Sequence, residues 1–350
     1  MKTDSTQAII EKMLTTTPPA FSAAEAVAVA ASHYGIHGQV SPLVSERDQN
    51  FRLNTDDGKC FTLKISNQAE QLQVVDFQNQ ALLHVQNKDA SFPLPRVIPD
   101  MHGKLHCKAE KDGKTHFVRV LSWLDGMVLN DAKASADLAN RLGRLLARLG
   151  LAFEDFDHPG SNPPLLWDMK RAAGLQDLLT HIEDAGLRKM AKQTLDRFVS
   201  RVEPLLDILR TQVIHSDMSL GNVLMDKAEP DKISGLIDFG DIVKSPLIMD
   251  LAIASAYQLS DGDDPLGGAL PMIAGYHAAR PLPAIEIGLL MDLIKTRLIT
   301  SVLISSYRVA LFPENREYLM ISHQSAINYL TRLQGLDASE ALVRIKAACI

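Results

Sequence analysis

Two short apolar runs, each leading into carboxylates, set the strongest limit on how this chain can fold. Val213-Ile214 leads into His215-Ser216-Asp217-Met218-Ser219-Leu220-Gly221-Asn222. Val223-Leu224 then leads through a short hairpin to Gly235-Leu236-Ile237-Asp238-Phe239-Gly240-Asp241. Written as H-x-D-x-x-x-x-N followed by I-D-F-G-D, the stretch reads as two strand-and-loop units that deliver Asp217, Asn222 and Asp238 to one place.

What surrounds this unit is bounded by size and charge. At 350 residues the chain is long enough for one large or two modest domains. Its 46% apolar and 22% charged residues are ordinary for a soluble globular protein. A formal net charge of −6 gives no electrostatic case for a nucleic-acid or anionic-membrane partner. Cys60, Cys107 and Cys349 are scattered and lack C-x-x-C spacing, so neither a disulfide framework nor a structural zinc site is expected. No apolar run precedes Pro18-Pro19, and the Ala-rich Ala23–Ala31 is interrupted by Glu25 and too short to span a bilayer. The expectation is a cytoplasmic protein.

Residues 1–19 are polar and read as a flexible N-terminal arm. Ser22 and Glu25 have the spacing of a capping box for a helix to about Tyr34, ended by Gly35 and Gly38. Asp56-Asp57-Gly58 predicts a hairpin joining Gln49–Thr55 to Lys59–Ile65, and Asp112-Gly113 a second one joining Lys104–Lys108 to Thr115–Leu121. In the strand Cys60–Ile65, period-2 alternation puts Lys64 opposite the apolar Phe61, Leu63 and Ile65. Between the hairpins a helix is predicted from about Gln68 to Val85, and Pro93 and Pro95 break the chain before Arg96-Val97-Ile98. This makes an antiparallel sheet of about five strands with one inserted helix.

From Gly126 the pattern turns helical. Leu138, Leu142, Leu145, Leu146 and Leu149 mark an amphipathic helix ending at Gly150. Helical patterns then run over Trp167–Leu209, and again from Leu247, Leu266, Ala284, Asn315 and Ser339 onward. The Ala284–Ala310 stretch is apolar enough for either a core or an interface, and oligomeric state is not read from it. The plan is α+β: a β-rich N-lobe over residues 20–122 and a mainly helical C-lobe over 123–350, with a cleft between.

A metal-bound nucleotide carries several negative charges, so phosphoryl transfer needs charge neutralisation, positioning and a base for the acceptor. Asp217 fits the base. Asn222 and Asp238 offer oxygen ligands suited to Mg²⁺, and Lys64 supplies a positive charge for the phosphates. Each of the four has a commonplace alternative as a cap, turn or surface residue. Their joint occurrence in this order is the specific signal.

This set, with Trp123-Leu124-Asp125-Gly126 and Ser245-Pro246-Leu247-Ile248-Met249-Asp250-Leu251, resembles the aminoglycoside phosphotransferase/choline kinase superfamily. Ser45-Glu46-Arg47-Asp48-Gln49-Asn50-Phe51, Leu63-Lys64-Ile65-Ser66-Asn67, Phe77-Gln78-Asn79-Gln80-Ala81-Leu82 and Trp167-Asp168 most resemble its hydroxylysine-kinase-like branch. The resemblance covers roughly residues 20–310. It implies a protein-kinase-like two-lobed fold and transfer of the γ-phosphoryl of ATP or GTP to a small-molecule hydroxyl, with Mg²⁺ as cofactor. It also implies that Asp217 is the base, that Asn222 and Asp238 hold the metal, and that Lys64 holds the α- and β-phosphates. Backbone at Ser122, Trp123 and Leu124 would meet the purine, and the Ser45–Asn50 turn, with Arg47, would cover the phosphates.

Three departures shape the expected substrate. Gln78 stands where the helix partner of the strand lysine is normally Glu. Ser219 replaces the His of the antibiotic-kinase H-G-D-x-H-x-x-N pattern, which disfavours an aminoglycoside or other antibiotic acceptor. No Gly-rich G-x-G-x-x-G loop is present; with Gln78, this is the support for a nucleotide-binding pseudokinase as a further alternative. Between Asp238 and the helix at Leu247 there is no room for an activation segment, so the acceptor is expected to be small. The branch implies a hydroxylated amino acid or amino alcohol. Arg297 is the candidate for its carboxylate and Trp167-Asp168 for its ammonium, with Ser219 and Asp241 also near the acceptor.

Overall fold

Two Asp-Gly turns and one capped helix lay down the β-rich part. The computed structural model describes residues 16–45, 47–129 and 135–350. Most of the expected N-terminal arm, and Glu46 of the Ser45–Asn50 turn, therefore lie outside the described residues. Helix α1 (Ala23–Tyr34) opens on the reciprocal Ser22–Glu25 box and closes on Gly35 at φ 65°, a left-handed cap that favours a residue without Cβ. There follow β1 (Gly38–Leu43), β2 (Gln49–Thr55), β3 (Cys60–Ile65), α2 (Leu72–Lys88), β4 (Val97–Ile98), β5 (Cys107–Lys111) and β6 (Lys114–Ser122). The sheet is antiparallel in the order β1-β2-β3-β6-β4, with β5 also paired to β6.

One strand more is present than the expected five. It is β1, whose polar, largely exposed sequence carries no apolar alternation. Gly38 opens this strand instead of ending α1. The second hairpin is also tighter than expected: Lys111 pairs with Lys114 across Asp112 and Gly113, both at positive φ. Helix α2 starts at Leu72, later than Gln68, and buries Gln78 and Asn79 along with Val75, Phe77, Leu82 and Val85.

The helical part contains β7 (Met127–Val128), α3 (Ala136–Ala152), α4 (Ala185–Arg197), β8 (Thr211–Ile214), β9 (Val223–Met225), β10 (Ile233–Leu236) and β11 (Val243–Pro246). Then come α5 (Leu247–Ala256), α6 (Ala269–Ala279), α7 (Ala284–Leu311), α8 (His323–Gln334) and α9 (Ala338–Ala348), with a one-turn helix at Arg316–Leu319. Helix α3 runs through Gly150 to Ala152. The segment Met169–His181 is a 3₁₀ run, and a π turn follows α4 at Phe198–Val202. Strands β9 and β10 form the predicted hairpin, with β7 on its edge, and β11 pairs with β8. The chain therefore passes from Asp238 directly into β11 and α5, without an activation segment.

The sheet packs α1 onto a small core of Phe21, Tyr34, Phe51, Leu63, Val118 and Val120. The buried face of α2 joins the much larger core of the helical part instead. Helix α7 runs through that larger core with buried residues all round, so its apolar character belongs to the interior. Among the described residues, no helix is long and apolar enough to cross a membrane.

Helices α3 and α6 cross with backbones nearly touching. A methyl group on Gly143 would collide with the Met272 carbonyl oxygen, and one on Gly275 with that of Asn140. Overpacking of this kind costs about 1–3 kcal/mol. Gly143→Ala and Gly275→Ala should each lower the unfolding free energy by that amount, measured in urea titrations, and the pair should be less than additive because they meet at one crossing.

Candidate active site

Strand β8 ends at Ile214 and hands the chain to a buried anchor. The His215 ring is fully buried, with Nδ1 accepting from the Asp217 amide at 3.3 Å and Nε2 facing the Ile237 carbonyl at 3.2 Å. One nitrogen accepts and the other donates, which defines a neutral tautomer. Burial agrees, pushing the His215 pKa down to about 4. The backbone amides of His215 and Ser216 donate to the Asp250 carboxylate at 3.2 and 2.8 Å, with Ser216 held at φ 65°. Burial pushes Asp250 up to about 6.

Asp217 projects from this anchored turn. Its Oδ2 accepts from Asn222 Nδ2 at 2.7 Å, and the same amide donates to the Asp217 carbonyl at 2.9 Å. Its Oδ1 lies 3.4 Å from Arg297 Nη2. Burial pushes the Asp217 carboxyl up to about 8; Arg297 opposes this, while the charges of Asp241 and Asp238 add to it. Backbone bonds of Ser219, to the Asp217 carbonyl at 2.8 Å and from the Asn222 amide at 3.1 Å, close the loop.

Ile237 N donates to the Asn222 carbonyl at 2.9 Å, which sets Asp238 beside Asn222. Asp238 sits at φ 61°, and its Oδ1 accepts from the Gly240 amide at 3.1 Å. Lys64 Nζ is 3.5 Å away and, as the main cause, holds the Asp238 carboxyl down at about 2. Phe239 is buried edge-on against the His215 ring at 4.7 Å. Arg47, from the β1–β2 turn, reaches Asp241 at 2.7 Å.

The donor set suits a hard cation that shares its shell with phosphates. With its Nδ2 given to Asp217, the Asn222 amide presents its oxygen elsewhere, and Asp238 stays ionised. Among the described residues no three His, Cys, Asp or Glu side chains group as a metal site. If Asn222 and Asp238 held a metal, one carboxylate and one amide oxygen would leave most of its shell to phosphate and water, a division that suits Mg²⁺.

Other expected residues fall as follows. Asn50, Lys64 and Arg119 are register partners across β2, β3 and β6, and Asn50 Oδ1 is buried without a hydrogen-bond partner among the described residues. Ser45 lies in the β1–β2 turn, which Asp48 and Asn67 pin through the Asn67 amide at 3.1 Å and the Arg47 carbonyl at 3.2 Å. At the lobe junction, Ser122 Oγ accepts from Arg96 N at 2.8 Å, Trp123 lies under the Arg52 guanidinium, and Leu124 fills space left by Gly235.

Two expectations are corrected. Gln78 does not face Lys64: its amide oxygen accepts from Arg119, and its Nε2 donates to the Gly240 carbonyl at 3.0 Å. The Asp168 carboxylate is buried and already engaged by Lys170 at 3.0 Å, Arg171 at 3.4 Å and Ser245 Oγ at 3.2 Å, so it caps the 3₁₀ run and offers nothing to an ammonium. Trp167 lies against Arg297, with its ring 4.9 Å from the guanidinium. Sequence reading missed Arg119, Asp250 and Tyr257 as site residues. For the first two a signal existed, a charge inside the otherwise apolar runs Phe117–Leu121 and Leu247–Ala256. Tyr257 carried none.

Asp217, Asn222, Asp238 and Lys64, read separately from the sequence, thus converge on one place. Residues 39–282 match the model described as "Phosphotransferase enzyme family". The chain belongs to this family and is a small-molecule kinase acting on an alcohol group, with the protein-kinase-like two-lobed fold. It is 27% identical over 339 residues to hydroxylysine kinase of Mus musculus, covering 90% of each chain. Against hydroxylysine kinase of Danio rerio it is 28% identical over 320 residues, covering 88% of this chain and 90% of the other. Against homoserine kinase of Methylobacillus flagellatus the figures are 28% over 242 residues, 68% and 69%. Among solved structures, the microcompartment-associated aminopropanol kinase superposes with a TM-score of 0.67 at 19% identity, over 92% of this chain and 97% of that one.

The buried neutral His215 makes the anchor sensitive to acid. Its folded pKa lies below the unfolded value, so its contribution is full above about 6.5 and is lost as pH falls toward about 4. Relative to His215→Asn, the wild type should lose up to about 3 kcal/mol between those limits, measured by denaturant unfolding across pH.

Proposed function

We propose that this enzyme is a Mg²⁺-dependent kinase that moves the γ-phosphoryl group of ATP or GTP onto the hydroxyl of a hydroxylated amino acid of the hydroxylysine type. The observation that carries the substrate class is Arg297. Its guanidinium is almost fully buried, stacked against Trp167 at 4.9 Å and Tyr257 at 5.5 Å, and set 3.4 Å from Asp217. Nη2 donates to the Tyr257 hydroxyl at 2.7 Å, while Nε and Nη1 have no hydrogen-bond partner among the described residues. A buried cation with open donors beside the candidate base is built for an anionic group. A carboxylate fits, and it is what separates an amino acid from an amino alcohol. The likeness to hydroxylysine and homoserine kinases supports the same class.

In this reading Asp217 orients the acceptor hydroxyl and takes its proton as the oxygen attacks the γ-phosphorus. Lys64 faces the α- and β-phosphates, Arg47 and the Ser45–Asn50 turn lie over them, and backbone at Ser122–Leu124 meets the purine. Mg²⁺, held through Asn222 and Asp238, would neutralise phosphate charge. Asp241 is paired with Arg47, and its charge helps raise the Asp217 carboxyl. A cytoplasmic setting fits the three cysteines, all present as thiols.

Nucleotide-release assays on matched pairs, each a hydroxylated amino acid and its decarboxylated amino alcohol, test the substrate class. The amino acid should be preferred. Arg297→Ala should raise its KM by about 10- to 100-fold while leaving that of the amino alcohol near the wild-type value. An unchanged amino-acid KM would remove Arg297 from substrate recognition. Asp217→Asn should lower kcat by about 10²–10⁴-fold without weakening nucleotide binding in calorimetry.

A further inference from the structure

The cleft face of the sheet carries two cations side by side. Lys64 and Arg119 are direct cross-strand partners on β3 and β6, so they emerge on the same face, and both are buried. Asp48, Glu70 and Asp238 act on Arg119 through their charge. Its guanidinium is instead met by two amides of α2. Nη1 donates to Asn79 Oδ1 at 3.2 Å, and Nη2 donates to the Gln78 amide oxygen.

The other end of Gln78 reaches the opposite lobe, where Nε2 donates to the Gly240 carbonyl at 3.0 Å. This orientation is forced by chemistry. Arginine only donates and a carbonyl only accepts, so the side chain between them must accept at one end and donate at the other. An amide does both. A carboxylate of the same length would satisfy Arg119 but turn a second acceptor onto the Gly240 carbonyl.

We propose that Arg119 and Gln78 are positioning residues: a relay that holds the Asp238–Asp241 loop from the β-rich lobe. With Gln78 engaged in this way, Lys64 pairs with Asp238. Glutamate at position 78 is then not a restoration but a defect. The proposal rests on reading Asp238–Asp241 as the metal loop.

The test is Gln78→Glu. In the empty protein, amide hydrogen exchange over residues 239–242 should speed up while the melting temperature stays close to that of the wild type, since the pairing with Arg119 survives. With substrates, kcat/KM for the metal–nucleotide should fall by about tenfold, the effect of one lost buried hydrogen bond, with acceptor KM unchanged. Wild-type exchange and kinetics in Gln78→Glu would overturn the relay, as would equal losses toward nucleotide and acceptor together with a lowered melting temperature. Should Gln78→Glu fail to fold, Arg119→Gln carries the test. An amide there can also accept, so Gln78 loses its enforced orientation and the same selective loss is expected; wild-type kinetics would overturn the proposal. Asp238→Asn, run in parallel, separates the two levels: if it stays active, the metal-loop reading falls; if it is inactive while Gln78→Glu is normal, only the relay falls.

Discussion

The four residues Asp238–Asp241 are gripped from three elements of the β-rich lobe at once. Lys64 on β3 faces Asp238, Gln78 on α2 holds the Gly240 carbonyl, and Arg47 in the β1–β2 turn pairs with Asp241. From below, Phe239 packs on His215 and Ile237 is tied to Asn222. The loop is thus the point at which the two lobes read each other's position. A shift in the sheet or in α2 is felt at the carboxylate that would meet the metal.

Different surroundings drive two aspartates of the site apart in charge. Asp238, beside Lys64, is held down at about 2, whereas Asp217, buried and near the charges of Asp241 and Asp238, is pushed up to about 8. One environment keeps a carboxylate ionised; the other raises a carboxyl's hold on its proton. Divergent pKa values in neighbouring groups are a signature of acid–base division of labour. Asn222 joins the two sites, with its amide nitrogen on Asp217 and its backbone carbonyl bonded to the Asp238 side.

Beneath the site, α7 brings charges into the core and partners most of them locally. Glu286 is bonded by Arg210 at 2.6 Å, and Asp292 by Arg197. Burying an ion without a partner is costly, so such pairs are expected. Arg297 on the same helix is paired with Asp217 at 3.4 Å, and its stacking on Trp167 and Tyr257 leaves Nε and Nη1 without a hydrogen-bond partner among the described residues. The two open nitrogens are what support the carboxylate-binding role proposed for Arg297.

Local chemistry made much of this protein legible from its residues alone. The capping box at Ser22, the Asp-Gly turns, the alternation that turns Lys64 away from the apolar face, and the spacing of Asp217, Asn222 and Asp238 each follow from interactions within a few residues. They were enough to expect an α+β two-lobed plan, to which the family resemblance added the protein-kinase-like fold. The limits have the same origin. Strand β1 has no apolar alternation, the 3₁₀ geometry of Met169–His181 has no separate sequence signature, and the close α3–α6 crossing depends on two glycines far apart in the chain. Which partner each polar group finds was decided only by tertiary structure. Gln78 meets Arg119 instead of Lys64, and Arg297 is held by two aromatic rings, because these pairings join residues tens of positions apart and depend on how helices and sheet settle against one another. Residue spacing determined the chemistry available to this chain; packing decided which groups were left free to use it.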